Sequence, residues 1–385
     1  MSMRIMFVVG RLYGEASGVT RIMCDLAQGL EKQGGSVSLY AAAMNGHPSG
    51  AHLLEAPSRY VSEPGMWLGG LASSPRLRRR IDADIDSVDI VHSHSVWMLP
   101  NHYASSAALR RGKPVVFTAH GALEPWALGR SSWKKRPVGW WWQDRDLQRA
   151  ACIHVNTPAE VAGIRAYGLR NPIAVIPNGV DLAAFDGMLR RAGDQRVLLF
   201  LSRLHAKKGL SPLIGAWKSL SNDHPDWRLM IAGRDDGAEA ATRSQIAELG
   251  LQDRITMAGV LEGEQKLAAF ASADAFVLPS YSEGFSMAVL EAMAAGLPVV
   301  LTPGCNFPQA AASGAAIEVE PETQSLQRGL RELLSMSDTQ RCEMGRRARE
   351  LVQRDHSWDR VATQMMQLYS WLSGGGSPPA TVQFA

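Results

Sequence analysis

Apolar runs of strand length alternate with amphipathic helical stretches along almost the whole chain. No other feature restricts the fold as much. In the first half the strand candidates are residues 4–9, 37–42, 89–92, 115–119, 152–156 and 173–176. Helical patterns, such as 19–32 and 133–149, fill most gaps, while 45–75 is rich in Gly, Pro and Ser and reads as a long loop. The second half repeats the scheme, with strands at 197–201, 228–232, 255–258, 275–278 and 299–301. This alternation is that of an α/β protein with parallel sheets covered by helices on both faces. So many strands exceed one core, so two doubly wound, Rossmann-like domains are expected, facing each other across a cleft. Ligands in such sheets sit at the C-terminal ends of the strands. The expected division is 1–188, then 189–355. A helix at 356–372 is expected to pack back towards the first domain, and 373–385, opening on Ser-Gly-Gly-Gly-Ser, to be a disordered tail.

Composition removes several classes. A chain of 385 residues, 46% hydrophobic and 20% charged, is that of a globular protein. The net charge of +3 is too small to argue for nucleic acid. Cys24, Cys152, Cys305 and Cys342 form no C-x-x-C pair, against a disulfide framework or zinc site. The apolar run at the N-terminus is too short for a signal peptide, and no stretch reaches the ~18 apolar residues of a membrane span. A cytoplasmic enzyme is the expectation, with peripheral contact at the inner membrane face left open.

The chemistry concentrates in Ser280 to Ala294, where a strand, a Gly-containing turn and a helix start carry two carboxylates, Glu283 and Glu291. A helix N-terminus offers unpaired N–H groups and partial positive charge, which suit a phosphate. Carboxylates instead suit the hydroxyl donors of a sugar or ribose. Hydroxyls flanking a phosphate describe a sugar nucleotide. A second cluster, Ser202 to Leu210, follows another strand and carries Arg203 and Lys208. Two fixed cations there could neutralise a diphosphate and stabilise a departing nucleoside diphosphate.

From about Arg4 to Leu372 the chain resembles glycosyltransferase family 4, retaining enzymes of GT-B fold that use nucleotide sugars. The family's Glu-x7-Glu pattern matches Glu283 to Glu291, and its Gly-Arg-Leu-x-x-x-Lys-Gly segment matches Ser202 to Gly209, with Ser202 in place of the first glycine. Ile176 to Asp181 matches Ile-Pro-Asn-Gly-Val-Asp, Gly14 to Val19 the glycine-rich loop, and Thr118-Ala119-His120-Gly121 the histidine segment. The resemblance implies that Glu291 binds ribose hydroxyls and that Glu283 reaches the donor sugar. Backbone N–H groups of Gly284, Phe285, Ser286 and Met287 would contact sugar and phosphate, and Arg203 and Lys208 would hold the diphosphate. Gly18 would admit the phosphates, His120 would lie beside the reacting sugar, and Val260 and Leu261 would meet the base. It implies retention by same-face attack, without metal and with no cofactor beyond a UDP- or GDP-linked co-substrate. The acceptor would be a glycan or lipid-linked sugar, in exopolysaccharide or lipopolysaccharide synthesis. One departure stands out: Gln309 occupies a position where the family often carries Glu. A nucleotide-sugar epimerase of the same fold and a non-catalytic sugar-nucleotide binder remain the alternatives.

Smaller signals accompany these. Asp82/Asp84 and Asp144/Asp146 match an Asp-x-Asp metal pattern but fall in helical stretches, so no metal is assigned. His92 and His94 share one face of an extended chain and are candidates for the acceptor side. Glycines 10, 14 and 18 do not form G-x-G-x-x-G, against a dinucleotide enzyme. Trp126, Trp133 and Trp140 to Trp142 accompany Arg130, Lys134, Lys135 and Arg136. They suit either an anionic membrane surface or a helix burying tryptophan on the first sheet.

Overall fold

The computed structural model describes residues 2–12, 18–43, 59–66, 70–123, 128, 138–187 and 195–385. The chain divides into two compact units. One comprises Met1–Gly179 with Trp358–Ala385, the other Val180–Ser357.

The first unit contains β1 (Arg4–Val9), β2 (Ser36–Ala43), β3 (Arg59–Pro64), β4 (Ile90–His94), β5 (Val115–Thr118), β6 (Cys152–Val155) and β7 (Ile173–Val175). The second contains β8 (Arg196–Leu201), β9 (Trp227–Ala232), β10 (Ile255–Gly259), β11 (Ala275–Leu278), β12 (Val299–Leu301) and β13 (Ala316–Glu318). A last strand, β14 (Val382–Gln383), returns to the first sheet. The sheet orders are β14-β7-β6-β5-β4-β1-β2-β3 and β10-β9-β8-β11-β12-β13. Among the described strands every pairing is parallel except β14 on β7.

Central strands are apolar on both faces because both faces are covered. In β1, Met6 and Val8 enter one core, while Ile5, Phe7 and Val9 enter the other. The second core is closed by the helices Gly18–Lys32 and Trp358–Leu372. The latter buries Val361, Ala362, Met365, Leu368 and Tyr369, an i, i+4, i+7 stripe. Ile90 lies on that same face, and with it, by the period of two, His92 and His94.

The structure departs from the sequence expectations in several places. The division falls at Val180 rather than after residue 188, because Val180 and Phe185 join the second unit's core. The ring of Phe185 lies 5.9 Å from that of Phe270, and the Val180 N–H donates to the His356 carbonyl at 2.8 Å. Residues 188–194, around the expected boundary, lie outside the described set. The tail expected to be disordered instead forms β14, with Val175 N–H bonded to Thr381 O at 2.8 Å, covering the open edge of β7. The stretch expected to be a loop contains β3. Gly14 to Ser17 and the basic cluster around Lys134 fall outside the described residues.

Candidate active site

In a doubly wound sheet, the strand ends diverge where the order reverses. In the second unit that point lies between β8 and β11, and the segments leaving these strands are Ser202–Gly209 and Pro279–Gly284. They are zipped together by Tyr281 N–H to Lys207 O at 2.8 Å. Gly209 sits at φ +69°, and a Cβ there would collide with the Pro279 carbonyl, so only glycine allows the approach.

Lys208 and Glu283 are both buried and form an ion pair. The Ser280 hydroxyl donates to the same Glu283 Oε1 at 2.5 Å. The backbone of Glu283 is held as well: its N–H donates to Gly304 O at 2.8 Å, and Asn306 Nδ2 donates to its carbonyl at 2.5 Å. Burial pulls the Lys208 ammonium below its ordinary value, and the Glu283 charge opposes that pull. Asn306 lies just before the short helix Pro308–Ala312 that carries Gln309. Gln309 itself is exposed, so the missing acidic residue is not what fixes Glu283.

Arg203 is exposed and pairs with Asp236 at 2.5 Å, leaving guanidinium donors over. Glu291, on the helix Met287–Ala294, accepts from Lys266 Nζ at 2.7 Å. Ser286 caps that helix through Val289 N–H. Phe285 stacks towards Phe307 and His356, with centroids 5.9 and 5.7 Å away. Gly284 receives a longer bond from Asn306 Nδ2, 3.4 Å to its carbonyl. Val260, beyond the end of β10, is 49% exposed, an unusual state for valine, while Leu261 is half-buried. Sequence reasoning missed Lys266, Asp236, Ser280 and Asn306. Their partners lie 25 and 33 residues away for the first two, and no motif signals such pairings.

In the first unit the order reverses between β1 and β4. Three of the non-glycine residues with positive φ, Ser95 (68°), Trp97 (74°) and His120 (51°), lie just past β4 and β5. Such strain persists only where surrounding structure holds it, and it concentrates at functional sites. Gln143, in the π-helical turn Gly139–Gln143, does so here by accepting from Trp97 N–H at 2.7 Å. Gly18 opens the helix Gly18–Lys32. A Cβ there would meet nothing within 4 Å, so the protein's own packing does not require glycine.

The histidines form a buried network whose proton positions can be derived. His154 Nε2 faces the Ile176 carbonyl at 2.8 Å and must therefore donate, leaving Nδ1 to accept from the Thr118 hydroxyl at 2.7 Å. Thr118 Oγ1 then accepts from His92 Nε2 at 2.6 Å, and His92 Nδ1 accepts from the Tyr369 hydroxyl at 2.6 Å. All rings in this chain are neutral. Burial pushes His154 down to about 4, His120 to about 3, and His92 and His94 well below the ordinary value. The acceptor-side expectation is corrected for His92, which is fully buried with both nitrogens engaged. His94 is 1% exposed and touches His120, with Nδ1 and Nε2 3.2 Å apart.

The acidic pairs are taken up elsewhere: Asp84 by Tyr40 and Arg80, Asp82 by Arg110, Asp144 by Tyr167, Asp146 by His102. Trp142 is buried, while Trp140 and Trp141 are 82% and 69% exposed, so the tryptophan run serves two faces. Trp126 and Trp133 lie outside the described residues. Among the described residues no helix is long and apolar enough to cross a membrane.

Two Rossmann-like parallel-sheet units are the architecture of GT-B glycosyltransferases. Residues 16–184 match the family model described as Glycosyltransferase Family 4, and residues 185–351 the one described as Glycosyl transferases group 1. The chain belongs to glycosyltransferase family 4. A GDP-mannose:cellobiosyl-diphosphopolyprenol alpha-mannosyltransferase of Xanthomonas campestris is 33% identical over 57% of this chain, and the match spans 57% of that relative's own length. A glycogen synthase of Mycobacterium tuberculosis is 30% identical over 76% of this chain and 70% of its own. Among solved structures, Anabaena HepE in complex with UDP and glucose superposes with a TM-score of 0.74 at 19% identity, covering 96% of this chain and 99% of that one. A glycosyltransferase from Rickettsia africae gives 0.77 at 18%, covering 97% and 100%.

Proposed function

We propose that this chain is a retaining glycosyltransferase that moves a hexose-type sugar from a UDP- or GDP-linked donor to a glycan or lipid-linked acceptor. The observation that carries this reading is the buried Lys208–Glu283 pair at the reversal point of the second sheet. Burying such a pair is a poor way to gain stability, so its place at a strand-end ligand position argues for a ligand.

In this reading Glu291 takes the ribose hydroxyls and Glu283 a hydroxyl of the donor sugar. Lys208 has three donors and Glu283 engages one, so the others can meet the diphosphate beside Arg203. Their charge stabilises the leaving group, the role a metal plays elsewhere. The bond from the anomeric carbon to the β-phosphate oxygen breaks, its electron pair leaving on that oxygen. The acceptor hydroxyl attacks the same face of an oxocarbenium-like carbon and gives its proton to the departing phosphate. His120 is the first unit's catalytic histidine. The name of the Xanthomonas relative, which gives cellobiosyl-diphosphopolyprenol beside GDP-mannose, supports a lipid-linked acceptor and a role in surface polysaccharide synthesis. Exposed Trp140 and Trp141 beside exposed Arg145 and Arg149 suit peripheral contact with anionic lipid.

Purified protein given UDP-glucose or GDP-mannose should release nucleoside diphosphate slowly, equally well in EDTA. Glu291→Ala should raise the donor KM, whereas Lys208→Ala should lower kcat by roughly 10²–10³-fold. An epimerised sugar nucleotide would favour the epimerase alternative. Failure of a full panel of UDP- and GDP-sugars to turn over would leave at most a binding protein.

A further inference from the structure

Among the buried side-chain polar atoms of the first unit that lack a partner, one belongs to the histidine cluster. His94 Nε2 has no hydrogen-bond partner. Its ring cannot turn to find one. It stacks on His92 at 4.1 Å and 29°, and Phe7 packs edge-on at 4.7 Å. Its other nitrogen, Nδ1, faces His120 Nε2 at 3.2 Å.

Both rings are neutral, so each carries one proton, and only two arrangements keep the bond between them. If His120 Nε2–H donated, His94 would accept on Nδ1 and carry its own proton on Nε2. That proton would be a buried N–H donor without an acceptor. If His94 Nδ1–H donates, the atom left bare is only an unused acceptor lone pair. Orphaned buried N–H groups are rarer and costlier than under-used acceptors. The second arrangement is therefore the stable one.

We propose that His94 is a positioning residue that fixes the tautomer of His120, so that His120 carries its proton on Nδ1 and presents that nitrogen as a hydrogen-bond donor. His120 then serves the sugar as a neutral donor rather than as a base. The strained backbone at His120, φ +51°, is consistent with a ring held in one orientation. This assignment rests on the transferase reading only for what His120 addresses; the tautomer follows from the bonds and from the neutrality of the two buried rings.

Two substitutions separate positioning from packing. His94→Asn keeps a donor near Nδ1 and loses the ring. His94→Phe keeps the ring and loses the donor. Long-range proton–nitrogen correlation spectra of the full chain, labelled with ¹⁵N-histidine, read each tautomer directly. His120 should carry its proton on Nδ1 in the wild type and in His94→Asn, but not uniformly in His94→Phe. With UDP-glucose or GDP-mannose as donor, His94→Phe should lose roughly 10–100-fold in kcat at unchanged donor KM. That is the scale at which an outer group orienting a working histidine acts. His94→Asn should recover most of that rate. A wild-type His120 protonated on Nε2 overturns the proposal, as does a rate order with Phe above Asn. If the wild type turns over no donor, the transferase reading falls, and the spectra still decide the tautomer.

Discussion

Gly209 and Gly18 look alike in sequence, each a glycine where a helix begins, but the structure gives them opposite reasons. At Gly209 the backbone is left-handed, and the Pro279 carbonyl occupies the space a Cβ would need. Gly209→Ala must therefore move the segments that carry Lys208 and Glu283, costing about 1–3 kcal/mol in folding. At Gly18 nothing stands within 4 Å, so Gly18→Ala should leave the melting temperature unchanged or slightly raised. If a phosphate approaches that backbone, the same change should weaken binding of UDP or GDP. Denaturant titration and nucleotide titration of both variants check this. A Gly18→Ala protein that binds nucleotide as the wild type does removes Gly18 from the donor site. The pairings around these glycines set the limit of what sequence could say. Glu283, Glu291, Arg203 and Lys208 were legible because each sits in a short local pattern. That Lys208 meets Glu283 directly, 75 residues away, and that Lys266 holds Glu291 depend on tertiary approach.

Among the elements, the buried central strands were legible to within a residue or two, because burial on both faces leaves continuous apolar runs. The misses were β3, β13 and β14. All three are edge strands, short or half-exposed, with at most one buried residue each, so no periodicity reveals them. The turn Gly139–Gln143 is another element that sequence could not read, since a π-helix has no distinct side-chain pattern. Its five-residue spacing divides the tryptophans, turning Trp142 inward while Trp140 and Trp141 stay outside. Its inner face also carries Gln143, the anchor of the strained Trp97. A membrane contact would use only the outer face. Trp140→Ala with Trp141→Ala should thus reduce binding to phosphatidylglycerol vesicles several-fold at low salt, without shifting the melting temperature. Equal binding by wild type and double variant would remove the membrane from this element's role.

At the scale of the whole molecule, the second unit is inserted into the first. The first sheet's face around Ile5, Phe7, Ile90 and Val116 is closed by Val361, Met365, Leu368 and Tyr369, which arrive only after the second unit has been made. The histidine network lies wholly in the first unit and binds that last helix through Tyr369. It therefore gives the first unit a pH dependence of its own. His92, His94, His120 and His154 have native values depressed from 6.5, the last two to about 3 and about 4. Between those values and 6.5 the unfolded chain binds protons that the native rings refuse, so unfolding becomes easier as pH falls. The stabilising contribution is whole above pH 6.5 and is lost on acidification from there towards about 4. Each ring contributes up to about 1.4 kcal/mol per pH unit, so the four together set a ceiling of about 5.6 kcal/mol per pH unit. The second unit has its own core, so acid should unfold the first unit as a separate transition. Near pH 5 the first unit should melt well before the second, and added UDP or GDP should raise the later transition. Calorimetry from pH 7.5 to 5 reads this directly. A first-unit transition flat across that range would mean that the buried rings are already charged in the native state, and the tautomers derived for them would fall with it.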